Sequence, residues 1–108
     1  MEEGGNVTVL FTTVPDQETA VKIGEALVTE SLAACCTIIP NVQSIYKWEG
    51  EVQHEAELLL MIKTTQVGYS ELHDRLIELH PYGLPELLAL PVPYGSEPYL
   101  EWIRESIR

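Results

Sequence analysis

Positive charge is what this chain has least of: Lys and Arg total 6 against 17 Asp and Glu, a formal charge of -11 over 108 residues. The few cations form no cluster, so a nucleic-acid backbone or an anionic membrane surface would be repelled, and neither is expected as a partner. The acidity suits solubility and raises the local concentration of cations. Long apolar runs are missing too: the longest, Leu58 to Ile62, is far below the ~18 residues of a membrane span. The opening MEEGGN has neither a basic region nor an apolar core, so no secretory signal is visible and the chain reads as cytoplasmic. Cysteine is confined to the adjacent pair Cys35 and Cys36. Neighbouring strand residues point to opposite faces and their Cα atoms sit too close for an ordinary disulfide. With no CxxC spacing either, free structural thiols are expected. GxGxxG, P-loop, GxSxG and HExxH patterns are all lacking, and the chain reads as non-enzymatic.

What is present alternates between strand and helix signals. Asn6 to Val14 is rich in β-branched residues and apolar on both faces, like a central strand. Asp16 is a good N-cap for a helix running to about Leu32, in which Ala20, Ile23, Leu27 and Ser31 recur at helical spacing and Gly24 offers a flat spot for close packing. Strand character returns from Cys35 to Trp48, with Pro40 marking a bulge or an edge. Glu49-Gly50 reads as a hairpin turn into a strand from Glu51 to Thr65, whose middle is buried on both sides. A second helix is expected over Val67 to His80 with Tyr69, Leu72, Leu76 and Ile77 on its apolar stripe, ended by Pro81. Pro85 to Val92 is a fourth strand. A last helix follows Ser96, with Tyr99, Trp102, Ile103 and Ile107 as its apolar side.

This order, βαββαβ plus a helix, predicts an α+β fold of the ferredoxin-like kind: a four-stranded antiparallel sheet with two helices on one face. Residues 1–6 are expected to be a flexible N-terminal segment and residues 7–108 a single domain. The hairpin arms, about 14 residues each, would extend ~45 Å at ~3.3 Å per residue, whereas a domain of ~100 residues is only ~35 Å across. The hairpin must therefore project and expose apolar strand edge, which a second copy of the chain would cover.

Chemistry concentrates around the corner HPYGLPE, residues His80 to Glu86. It can be read as a helix terminator, with His80 at the negative end of the helix dipole and the prolines turning the chain. It can also be read as a ligand site in which His80, Tyr82 and Glu86 meet Tyr46, Trp48 and Lys63 of the hairpin. His73 and His80 lie two helical turns apart and cannot share an ion, and His54 sits on the hairpin. A firm metal site would need oxygen ligands or a second subunit.

The stretches SLAACCTIIPNVQSIYKWEGEVQ, ELLLMIKTT, LHPYGLPELLALPV and YLEWI resemble the CutA1 divalent-cation-tolerance proteins, from about Val7 to Ile107. The resemblance implies a ferredoxin-like subunit with a long hairpin, a packed homotrimer, and an assembly similar to that of the PII signalling proteins. It also implies an inter-subunit cleft around Tyr46, Trp48, Glu49, Lys63, His80, Pro81, Tyr82, Pro85, Glu86 and Trp102. The chain departs from the pattern of some members, with Phe11 and Thr12 where a cysteine would stand and a single His80 where two histidines would.

The resulting expectation is a non-enzymatic cytoplasmic homotrimer that binds divalent cations, copper(II) or zinc, weakly and without an organic cofactor, in metal tolerance. His80 and Glu86 are the candidate metal ligands, with His80 the more exposed donor. Tyr46, Trp48, Lys63, Tyr82, Glu86 and Trp102 are the candidate cleft residues. The rival expectations are a PII-like module that binds a small anion or metabolite in that cleft, for which Lys63 speaks, and an interaction scaffold.

Overall fold

The computed structural model describes residues 5–108, so most of the segment expected to be flexible, residues 1–4, lies outside the described residues. Seven elements follow in order: β1 (Val7–Val14), α1 (Gln17–Thr29), β2 (Cys35–Trp48), β3 (Glu51–Thr65), α2 (Tyr69–Leu79), β4 (Leu88–Pro91) and α3 (Glu97–Ser106). The fold is α+β, with one four-stranded sheet in the order β2-β3-β1-β4. Every pairing in it is antiparallel.

Local chemistry explains most of the boundaries. Asp16 caps α1 by accepting the Thr19 N–H at 2.8 Å, satisfying one of the donors left free at a helix start. The helix ends three residues earlier than Leu32 because Ser31 turns left-handed, at φ 59°, so Ser31 leaves the helical stripe. The β2–β3 connection is a two-residue turn in which Glu49 (φ 51°) and Gly50 (φ 83°) are both left-handed, the twist that suits a tight hairpin. Helix α2 starts at Tyr69 and stops at Leu79, inside the expected Val67–His80, because His80 takes the extended backbone that a following proline favours. Ile77 stays exposed, and Leu79 rather than Ile77 packs on the core.

Alternation along β1 and β3 places Leu10, Val14, Leu60 and Ile62 against α1 and α2, where Ala20, Ile23, Leu27, Leu72 and Leu76 complete the main core. The flat spot at Gly24 is occupied by Cys36: a Cβ there would stand 3.3 Å from its Sγ. Both cysteines are free and half-buried. Helix α3 packs over Val7 through Leu100 and Ile103. The inward position beside them belongs to Arg104, which pairs with Glu97 at 3.1 Å and donates to the Gly5 carbonyl at 3.2 Å. Tyr99 and Trp102, expected on that inward side, instead stack on each other in the open with centroids 5.6 Å apart.

Two features of the sheet are left uncovered. The alternate positions of β1 and β3, Val9, Phe11, Leu59 and Met61, belong to neither buried cluster. Leu88 and Leu90 of the edge strand β4 pair with Phe11 and Val9 and are exposed. The hairpin meets its expected length: strands of 14 and 15 residues run along a molecule 47 Å long and only 25 Å by 23 Å in section.

Candidate functional site

One inserted residue decides which way the outer hairpin faces. Up to Ile39↔Leu59 the strands pair in one register; from Val42↔Glu57 onward the register has slipped by one. The slip falls at Pro40-Asn41, where Pro40 cannot donate to the ladder and Asn41 takes φ 60°. Because side chains alternate, a one-residue slip reverses the faces of β2 relative to β3. Ser44, Tyr46 and Trp48 therefore lie on the same side as Glu55 and Glu57; in the inner register they would lie opposite.

These residues form one wall of a cleft of about 850 Å³, and the turn Tyr82, Leu84, Pro85 and Glu86 forms the other. Trp48 is 51% and Tyr46 43% exposed, so both rings present surface to the cleft. Tyr82 is held in place: its hydroxyl donates to Glu57 Oε2 at 2.7 Å. Burial, that hydrogen bond and the charges of Glu57 and Glu55 all push the Tyr82 hydroxyl well above the ordinary tyrosine range. Burial, then Glu55 and Glu57, raise Tyr46 in the same direction. Both phenols thus keep their protons, under the influence of the Glu55 and Glu57 charges.

His80 lies behind this wall rather than in it. His80 is 7% exposed. The Tyr82 N–H donates to Nδ1 at 3.2 Å, so Nδ1 bears the lone pair and Nε2 the proton. Nε2 donates to the Thr13 carbonyl at 2.9 Å, with Thr12 Oγ1 also 3.1 Å away. Burial lowers the pKa of His80 below 6.5, against the opposing effects of the Thr13 hydrogen bond and the Glu57 charge. The expectation of an exposed donor at a helix end is corrected: Pro81 forces His80 into extended backbone, and the ring turns onto β1 with both nitrogens in use.

Of the sequence candidates, Tyr46, Trp48, Tyr82 and Glu86 come together in the cleft. Lys63 does not. It sits near the far end of β3, donating to Thr37 Oγ1 at 2.9 Å with Cys35 Sγ 3.6 Å away. Trp102 lies on α3 against Tyr99. Reasoning by residue type missed Glu55 and Glu57. Their signal was the carboxylate spacing on alternate positions of β3, which only the slipped register turns toward Tyr46 and Tyr82. Among the described residues, no three His, Cys, Asp or Glu side chains converge on a point that could hold a metal ion.

Fold and cleft together define a small α+β protein with an acidic, aromatic-walled hollow beside a long hairpin. Residues 8–106 match the CutA1 divalent ion tolerance protein family, and the chain belongs to that family. It is 49% identical to the "Divalent-cation tolerance protein CutA" of Thermus thermophilus over 91% of this chain and 95% of that one. A solved Thermus thermophilus structure of that description superposes with a TM-score of 0.92 at 47% identity, covering 94% of this chain and 99% of the other. The human "Protein CutA" is 42% identical over 94% of this chain, which spans only 56% of its length. A structure described as the periplasmic divalent cation tolerance protein CutA of Archaeoglobus fulgidus is 30% identical with a TM-score of 0.90, covering 94% of this chain and 99% of that one.

Proposed function

We propose that the chain is a non-enzymatic homotrimer that binds divalent cations weakly and takes part in metal tolerance, with ferredoxin-like subunits in a PII-like assembly. The observation that carries this reading is the cleft lined by Glu55, Glu57 and Glu86 with no Lys, Arg or His in its walls among the described residues. Carboxylate oxygens in an acidic hollow attract cations and suit hard or borderline metals better than soft ones. Since His80 has no nitrogen to spare and no three carboxylates converge among the described residues, Glu86 or a neighbouring glutamate of the cleft would supply part of the donor set, and water or a neighbouring copy the remainder. Copper(II) or zinc held this way exchanges readily.

The trimer draws support from the uncovered sheet face and the exposed β4 edge, which a second copy would bury. Two free thiols suit a reducing compartment such as the cytoplasm. The rival PII-like reading with an anionic ligand rests on Lys63, which within one chain lies outside this hollow and would have to come from a neighbouring copy. Calorimetric titration with copper(II) and zinc tests the proposal. Weak saturable binding that falls in a Glu55→Gln, Glu86→Gln double variant is expected; binding unchanged in that variant would remove the cleft from the account.

A further inference from the structure

Helix α3 has a small core of its own. Leu100 and Ile103 are buried against Val7, with Ala34 and Val92 alongside, and none of these five belongs to the main cluster beneath α1 and α2. At ten residues, α3 is shorter than the ~12–15 residues at which an isolated helix becomes even marginal in water. Parted from that small cluster it would unwind. Its other attachment is the chain that follows it.

Ile107 leaves the helix in extended backbone, and the tail reaches the helical layer. Ile107 takes up the space beside Gly68, just before α2: a Cβ on that glycine would stand 2.9 Å from Ile107 Cγ2. The Arg108 N–H donates at 3.0 Å to the carbonyl of Ser31, the left-handed residue that follows α1. The Arg108 guanidinium donates at 2.8 Å to Glu71 Oε2, in the first turn of α2. Two consecutive residues thus hold both the end of α1 and the start of α2. All three contacts form inside one subunit, so they stand whether or not further copies cover the sheet. The ion pair is the weakest of them, because Arg108 and Glu71 are 55% and 66% exposed.

We infer that Ile107 and Arg108 form a releasable latch that keeps α3 docked, and that α3 opens as one unit when the latch parts while the sheet and main core stay folded. Opening uncovers Val7, Ala34 and Val92 and carries the Tyr99–Trp102 pair away with the helix. Segments secured by few buried apolar groups open at a lower free energy than the whole fold.

Hydrogen exchange of the full chain, resolved by peptide at fixed protein concentration, tests the latch. In wild type the α3 amides should exchange as one group, and faster than those of β1 and β3 around Leu10 and Leu60. Ile107→Ala should quicken α3 about tenfold through lost apolar burial, and Arg108→Ala about two- to fivefold. The β1 and β3 amides should not move in either variant. Gly68→Ala, which crowds Ile107 from the other side, should act in the same direction as Ile107→Ala. Wild-type α3 amides as slow as the sheet, or α3 rates unchanged in the variants, would overturn the inference. So would equal acceleration of α3 and the sheet, or a variant that fails to fold, since losing the latch would then cost the whole structure.

Discussion

The imidazole of His80 donates from Nε2 to the carbonyl of Thr13 at 2.9 Å, tying the turn after α2 to the end of β1. Protonation would put a second proton on Nδ1, which already accepts the Tyr82 N–H. The folded state therefore holds this histidine neutral, and burial keeps its pKa below the ordinary 6.5. A depressed folded pKa means that the unfolded chain binds the extra proton first. The stability involved is fully present above 6.5 and is lost as pH falls through the lower folded value. Thermal unfolding of wild type should lose ground on acidification from neutral pH, and His80→Gln should lose less over the same range. Parallel pH profiles for the two proteins would refute this.

The Tyr82–Glu57 hydrogen bond should behave as a coupled pair. Tyr82→Phe strips a 93%-hidden carboxylate of its donor and should cost about 1–3 kcal/mol. Adding Glu57→Gln to Tyr82→Phe should recover part of that loss, since a neutral amide is cheaper to leave in place. Urea unfolding at fixed protein concentration checks the sign of the coupling; strictly additive effects would mean that the pair does not interact.

Gly24 and Cys36 form a second testable pair. Ala is normally better than Gly inside a helix by about 1 kcal/mol, but here its Cβ would stand 3.3 Å from Cys36 Sγ. Gly24→Ala alone should fall short of that benefit, and Gly24→Ala with Cys36→Ala should regain what the crowding takes. Burial, more than the adjacent Cys35, pushes the Cys36 thiol up to about 11, against the pull of Lys63. Alkylation of Cys36 in the folded protein should therefore be slow at neutral pH and quicken toward pH 11. Rapid labelling at neutral pH, located by peptide mapping, would contradict this.

Arg104 is 8% exposed, and two of the carboxylates it pairs with, Glu97 and Glu101, reach well into water. Arg104→Ala should destabilise through lost packing and the freed Gly5 carbonyl, by about 1–3 kcal/mol. Hydrogen exchange should quicken at the Val7 end of β1 and in α3. Uniform loss of protection across the whole chain would argue against this local role.

Assembly can be checked at the open sheet face. Sedimentation of wild type should give about three times the 12.1 kDa chain mass. Leu88→Glu with Leu90→Glu should yield smaller species, since both side chains lie exposed on the β4 edge. A wild-type chain that sediments alone at micromolar concentration would remove the trimer.

The sequence carried the element order because periodicity, caps and prolines are local signals. Asp16, Pro40 and Glu49-Gly50 act within a few residues of themselves, and each does what its chemistry suggests. Side-chain direction was less legible. Glu57 reads as one more surface carboxylate until the slip at Pro40-Asn41 and the reach of Tyr82 enclose it. Lys63 was grouped with the cleft by residue type and Trp102 by the family resemblance, and within one chain strand register and helix phase set both apart from Tyr46 and Tyr82. His80 was misjudged because the same proline that ends α2 also swings its ring inward, a three-dimensional effect with no spacing signature.

The hairpin also bears on the order of events in folding. Its arms are contiguous in the chain, so after the turn at Glu49-Gly50 each further pair from Trp48↔Glu51 inward closes almost no additional loop. Pairing β1 with β3 must instead bring Val7 to Thr65 across the intervening helix and strand, the kind of distant closure that slows folding. The last pairing needed is that of β4 with β1, which draws the chain beyond α2 back to its beginning. Pulse-labelled hydrogen exchange during refolding should show the β2–β3 amides protected before those bonding β1 to β4. The opposite sequence would mean that collapse onto α1 and α2, not zipping of the hairpin, sets the pace.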